Sequence, residues 1–152
     1  MSKQCLDIEQ MQHLKELGVE KITSDIFWVK YVGDEYVKLK NICKCGEFLV
    51  KTRDKTSVSQ KVDNCEVIPT FTLQDILDLL PSTIKVETTD EINEYWLEFG
   101  VSERDKSYWF VQYRSIEDSI YVIRENESLI DASYEMLCWC IEKEYIKTSK
   151  EE

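Results

Sequence analysis

Glycine is scarce in this chain: there are four in 152 residues, and none forms the G-x-G-x-x-G or G-x-x-x-x-G-K-[ST] loop that cradles phosphates. Histidine is scarcer still. His13 is the only one, and no H-E-x-x-H or G-x-S-x-G sequence accompanies it. Placed on a helical stretch between Met11 and Leu17, its imidazole reads as a solvated or capping group sooner than as a general base. No catalytic residue is assigned. Long apolar runs are also missing, because Asp131 and Glu135 interrupt the longest, and the first nine residues contain no signal core. The expectation is a cytoplasmic protein without membrane attachment.

A basic excess is lacking too. Nineteen Lys and Arg face thirty Asp and Glu, for a net charge of −11, whereas neutralising phosphates needs a basic footprint. The nearest candidate, Lys38 to Lys61, is interleaved with acids, so nucleic acid is not the expected partner. The imbalance is regional. Residues 1 to 66 are neutral, and residues 67 to 152 carry all of it.

What is present argues for a packed core. An apolar content of 43% with four Trp and eight Tyr is too rich for disorder, and the length suits one domain over 1–152. The clearest element runs from Ser128 to Ile146. Leu129, Ala132, Ser133, Met136, Leu137 and Cys140 recur at helical spacing, and Ile130, Tyr134 and Ile141 form a second apolar stripe beside them. Ser128 is placed as N-cap, with Asp131 near the positive end of the helix dipole. So broad an apolar surface needs cover from a sheet together with a second helix, or from a second copy in a homodimer. A shorter helix is expected after Thr72, whose hydroxyl caps it while Asp75 completes a capping box. Leu73, Ile76, Leu77 and Leu80 make its stripe, and Pro81 ends it.

Three segments also carry a resemblance: Gln10-Met-Gln-His-Leu-Lys-Glu-Leu-Gly18, Pro69-Thr-Phe-Thr-Leu-Gln-Asp-Ile-Leu-Asp-Leu-Leu-Pro81, and Ser128 to Glu142. In that order they resemble a family of small uncharacterised proteins of phages and mobile elements of gut bacteria. The resemblance implies a mobile-element setting. It transfers no activity and no site residue.

The remaining elements follow from alternation and turns. Ile8, Met11, Leu14 and Leu17 predict an opening helix, with Gly18 in the left-handed position after it. Phe27 to Val32 and Tyr36 to Lys40 predict a hairpin about Gly33. From 41 to 66 the chain is polar and turn-rich, which favours an exposed mobile loop, with a brief strand at Phe48 to Val50. Strands are then expected at Ile84 to Val86, Glu94 to Val101, Ser107 to Arg114 and Ile120 to Glu125, joined by short polar turns. The fold class expected is α+β: an antiparallel meander plus the N-terminal hairpin, packed by a short central helix and a long C-terminal one.

Two side-chain groups bear on function. Cys43 and Cys45, followed by Cys65, can supply three thiolates, with Cys5 or His13 as a fourth zinc ligand. The spacing lacks the two C-x-x-C pairs of most structural zinc sites, so unrelated reduced thiols are the simpler reading and no cofactor is assigned. Cys138 and Cys140 point to nearly opposite sides of a helix and cannot share one ion. The second group is aromatic and acidic. Glu94, Trp96, Glu98 and Tyr108 offer an aromatic centre in an acidic frame, suited to a basic protein partner. The plainer reading is a solvated acidic face that keeps the chain soluble. On balance the sequence favours a non-catalytic interaction protein, inhibitor-like, immunity-like or a phage accessory. The rival reading is a zinc-supported domain or a small enzyme.

Overall fold

The computed structural model describes residues 5–19, 26–31, 47–51 and 65–148, with 26–31, 47–51 and 65–69 described through their backbone pairing. The chain falls into two compact units, Asp7–Phe71 and Met1–Leu6 with Thr72–Glu152.

The first unit opens with helix α1, Ile8–Glu16. Asp7 caps it: its carboxylate accepts from the Gln10 N–H at 2.8 Å while the Gln10 side chain accepts from the Asp7 N–H at 3.0 Å. Two otherwise orphaned donors are thereby satisfied. Ile8, Met11 and Leu14 are buried at the spacing expected of them. The helix closes on Gly18 at φ 98°, with Val19 N–H donating to the Leu14 carbonyl and Gly18 N–H to that of Lys15. That is the six-to-one and five-to-two pattern of a Schellman end, in which a residue without Cβ is unstrained.

Strand β1, Ile26–Tyr31, lies between β2, Glu47–Lys51, and β3, Cys65–Pro69, antiparallel to both. The sequence pairs this first strand with Tyr36 to Lys40, a stretch that lies outside the described residues; the partners observed are β2 and β3. Within 41 to 66, Glu47–Lys51 forms β2 around the expected Phe48 to Val50, and Cys65 opens β3.

The second unit is the meander. Helix α2, Leu73–Leu79, starts from the Thr72 and Asp75 capping box and buries Ile76. Its backbone leaves the helical region at Leu80, ψ 130°, as the following Pro81 requires. Strands β4 (Thr83–Glu87), β5 (Ile92–Val101), β6 (Trp109–Arg114) and β7 (Ile120–Asn126) then pair in chain order, all antiparallel. Helix α3, Leu129–Glu142, follows and packs on α2, β6 and β7. Together these elements form an α+β fold with a four-stranded antiparallel meander and a long C-terminal helix.

The core of this unit lies under α3. Ala132, Ser133, Met136, Leu137 and Cys140 of the expected stripe are all buried, as are Ile130 and Ile141 beside it. From the sheet come Ile84, Val111, Tyr113 and Val122. Each large aliphatic side chain removed from water contributes about 1.5–3 kcal/mol before entropy is counted. Tyr113 is the polar tie in this apolar layer. Its hydroxyl donates to the Pro81 carbonyl at 2.7 Å and receives the Cys140 thiol at 3.7 Å, so one side chain joins sheet, α3 and the exit of α2.

Two ends of α3 are secured differently. Ser128 Oγ accepts from the Asp131 N–H at 3.4 Å, as expected, but the Ser128 N–H is taken by the Asn126 side chain at 3.0 Å. At the far end Tyr145 N–H donates to Cys140 O and Glu144 N–H to Ile141 O. This is a second Schellman end, with Glu144 at φ 65° where glycine is the unstrained choice.

Candidate interaction surface

β5 is the longest strand of the meander and organises its solvent-facing surface. Alternation places Ile92, Glu94, Trp96, Glu98 and Gly100 on one face, and Asn93, Tyr95, Leu97, Phe99 and Val101 on the face that carries α3. The register extends the first face sideways. Glu87, Lys85 and Thr83 of β4 lie opposite Ile92, Glu94 and Trp96, while Arg114, Gln112 and Phe110 of β6 lie opposite Trp96, Glu98 and Gly100. On β7, Ile120 is across from Arg114 and Ile123 from Gln112.

Exposure changes sides halfway along the strand. Near its start Ile92 and Trp96 are 66% and 41% exposed, and on β7 Ile120, across Arg114 from Trp96, is exposed as well. From Phe99 onward the outward residues belong to the α3 face instead: Phe99 at 47%, Val101, and Trp109 directly across from Val101. On the other face Gly100 is half-buried, with the Phe110 ring over it. A Cβ at position 100 would meet that ring at 3.2 Å, so glycine gives the aromatic its seat.

Charge distinguishes the two exposed apolar groups. The Trp96 group is framed by Glu87, Glu94 and Glu98, with Lys85 and Arg114 as the nearby cations. Glu98 and Arg114 meet at 2.7 Å, and Arg114 also meets Asp118 at 3.3 Å. The second oxygen of Glu98 accepts from the Gln112 amide at 3.2 Å. Gln112 is only 5% exposed, so this carboxylate is oriented from beneath. The Phe99 group adjoins the Ser102–Ser107 turn, in which Glu103, Arg104, Asp105 and Lys106 balance. There the Ser107 hydroxyl donates to Asp105 at 2.6 Å and holds its carboxyl below the usual carboxylate range.

Of the residues singled out in the sequence, Glu94, Trp96 and Glu98 share one face. Tyr108 does not join them. It closes the β5–β6 turn by accepting from the Ser102 N–H at 2.9 Å, at the Val101 end of β5. Trp96 and Val101 are five residues apart, about 17 Å along a strand. Ile92, Ile120, Arg114 and Gln112 belong to the surface without having been singled out. Cross-strand register recruits them, and register is set by turn lengths that the sequence states only loosely.

An aromatic row runs along the α3 side. Tyr95 of β5 stacks on Tyr121 at 5.0 Å, Tyr121 meets the edge of Trp139 of α3 at 5.9 Å, and Trp139 stacks on Tyr145 at 5.4 Å. Two irregularities assemble it. A bulge between β6 and β7 shifts the register so that Tyr113 pairs Val122 and Arg114 pairs Ile120. Tyr121, the extra residue, is thus re-aimed. The left-handed turn at Glu144 then brings Tyr145 back to the helix.

Of the metal candidates, His13 and Cys5 are described with their side chains. His13 lies exposed on α1, 3.9 Å from Glu16, and Cys5 is buried next to the bridge it makes with Thr72. Cys65 belongs to β3, whose side chains are outside the description, and Cys43 and Cys45 lie outside the described residues. Among the described residues no three His, Cys, Asp or Glu side chains are grouped to hold an ion. Cys138 and Cys140 are free thiols, and burial pushes both up to about 11. Neither has the lowered pKa that makes a thiol a ready nucleophile. Among the described residues no helix is long and apolar enough to cross a membrane.

Comparison with family models, with curated proteins and with solved structures finds no match for this chain.

Proposed function

We propose that this chain is a non-catalytic interaction protein that docks a basic protein partner on the Trp96 face of its meander. The observation that carries the reading is the exposure of Ile92, Trp96 and Ile120 on one sheet face, within a frame of Glu87, Glu94 and Glu98. Large exposed apolar groups set among charges are the usual make-up of a recognition surface: the aromatic anchor supplies affinity, and the surrounding field supplies rate and choice of partner. In a phage or mobile-element setting inside a bacterial cell, such a protein acts as an inhibitor, an immunity-like partner or an accessory factor. Docking on an acidic face weakens as salt screens the attraction.

The test uses immobilised chain, wild type and Trp96→Ala, challenged with the basic proteins of a bacterial lysate at low and high salt. The expected result is a specific protein held by the wild type, released by salt and not held by the variant. Retention of the same proteins by both chains, or of none by either, overturns the reading.

A further inference from the structure

Arg114 sits among the acids of the Trp96 face. Its guanidinium is bound by Glu98 at 2.7 Å and by Asp118 at 3.3 Å, and its backbone position is directly opposite Trp96. The two carboxylates are held differently, for the Asp118 side chain is 81% exposed. Glu98 is held through its other oxygen by the buried Gln112 amide. Asp118 projects from a left-handed backbone position, φ 66°, in the turn that its N–H closes on the Ser115 carbonyl. One oriented acid, a second acid on the same cation and an exposed indole opposite that cation's backbone position are groups that recognise a planar, five-donor cation, by forked hydrogen bonds and by the attraction of its charge to the ring.

We infer that this constellation is a guanidinium site, filled in the free protein by its own Arg114 and taken over by an arginine of the basic partner on docking. The inference rests on the docking reading above and names what the partner must present. Occupation by Arg114 is exchangeable, because its side chain and that of Glu98 are 42% and 36% exposed, and ion pairs so open to water are individually weak. The charges support the exchange. Glu98 and Asp118 together exceed the single charge of Arg114, and Glu87 and Glu94 exceed Lys85, so the face stays acidic even with its internal cation seated. Arg114 therefore acts as an internal competitor, and removing it strengthens docking although it lies in the middle of the surface. A lysine, as a compact point charge, gains less from the fork.

Hexa-arginine and hexa-lysine peptides serve as probes, titrated calorimetrically into the full chain at low ionic strength. Arg114→Gln is expected to bind hexa-arginine about fivefold more tightly than the wild type, with a smaller gain for hexa-lysine, and Glu98→Gln added to it cancels the gain. Lys85→Gln removes a positive charge from the same face without touching the pair, and so measures the effect of charge alone. A gain in Arg114→Gln that is no larger than in Lys85→Gln, or that is equal for the two peptides, overturns the guanidinium site. If wild-type binding is meanwhile lost in Trp96→Ala, the docking reading stands by itself. Absence of binding to both wild type and Arg114→Gln overturns both. All these positions are exposed or half-exposed, so superposable thermal melts are expected to show every variant folded.

Discussion

The two ends of β5 show solvent opposite faces of one sheet, and they differ in charge far more than in apolar content. Near Ile92 and Trp96 the outward side chains stand among Glu87, Glu94 and Glu98; near Phe99 and Val101 they adjoin a turn whose acids and bases cancel. Each end exposes one tryptophan and at least two aliphatic or aromatic companions. Apolar exposure by itself therefore does not distinguish the two ends, and under the proposed docking only the fixed charges would give one of them a preference for the sign of a partner.

The comparison assumes a common support, and the largest effect comes from removing it. Met136 of α3 is fully buried, so Met136→Ala is expected to cost about 2–5 kcal/mol, read as a lower midpoint in urea unfolding. If the two ends belong to one cooperative sheet, fluorescence from Trp96 and Trp109 changes in a single transition; separate transitions break the comparison at its base. Next in size is the contrast between the ends. Trp96→Ala is expected to weaken capture of a basic partner by tenfold or more, about 1.4 kcal/mol or above, and Trp109→Ala to leave it within about twofold. Equal losses would show that charge framing does not choose between them.

Where the exposed side of β5 changes, Tyr113 lies beneath, opposite Leu97. Tyr113→Phe removes the donor to the Pro81 carbonyl and is expected to cost about 1–1.5 kcal/mol, measured by chemical denaturation. A neutral outcome would mean that the tie between sheet and α2 exit adds nothing to the support of either end. The smallest effect is a gain. Glu144→Gly relieves the left-handed strain at the end of α3 and is expected to stabilise by about 0.5–1 kcal/mol, seen as a rise in melting temperature, without altering capture. Improved capture would tie the Trp96 face to motion of the helix end.

Much of this fold is legible in the sequence because its signals are local. Thr72 with Asp75, Gly18 after Leu17, and the stripe from Leu129 to Cys140 each declare themselves within a few residues, and each element forms where its signal lies. Asp7 with Gln10, three residues apart at the very start of the periodic run, is an equally local capping signal. The site is less legible. In Ile92-Asn-Glu-Tyr-Trp-Leu-Glu-Phe-Gly-Val101 both alternating sets contain apolar side chains, so neither face is marked as outer. Which set meets water is a tertiary fact, set by what packs on each face of the sheet. Tyr108 is separated from Trp96 by the length of β5 between Trp96 and Val101, because the β5–β6 turn returns Tyr108 opposite Ser102, and Glu144 takes a glycine's conformation with no glycine to announce it.

The row from Tyr95 through Tyr121 and Trp139 to Tyr145 has an optical consequence. Three phenols lie in ring contact or one ring removed from a single indole, so light absorbed by these tyrosines is handed on to Trp139. Sensitised emission from that indole reports whether β5, β7, the helix and the turn beyond it are still in register. If the helix end lifts, the transfer dims while the indole's own absorption is unchanged, and the molecule thus carries its own gauge of whether its longest helix is seated.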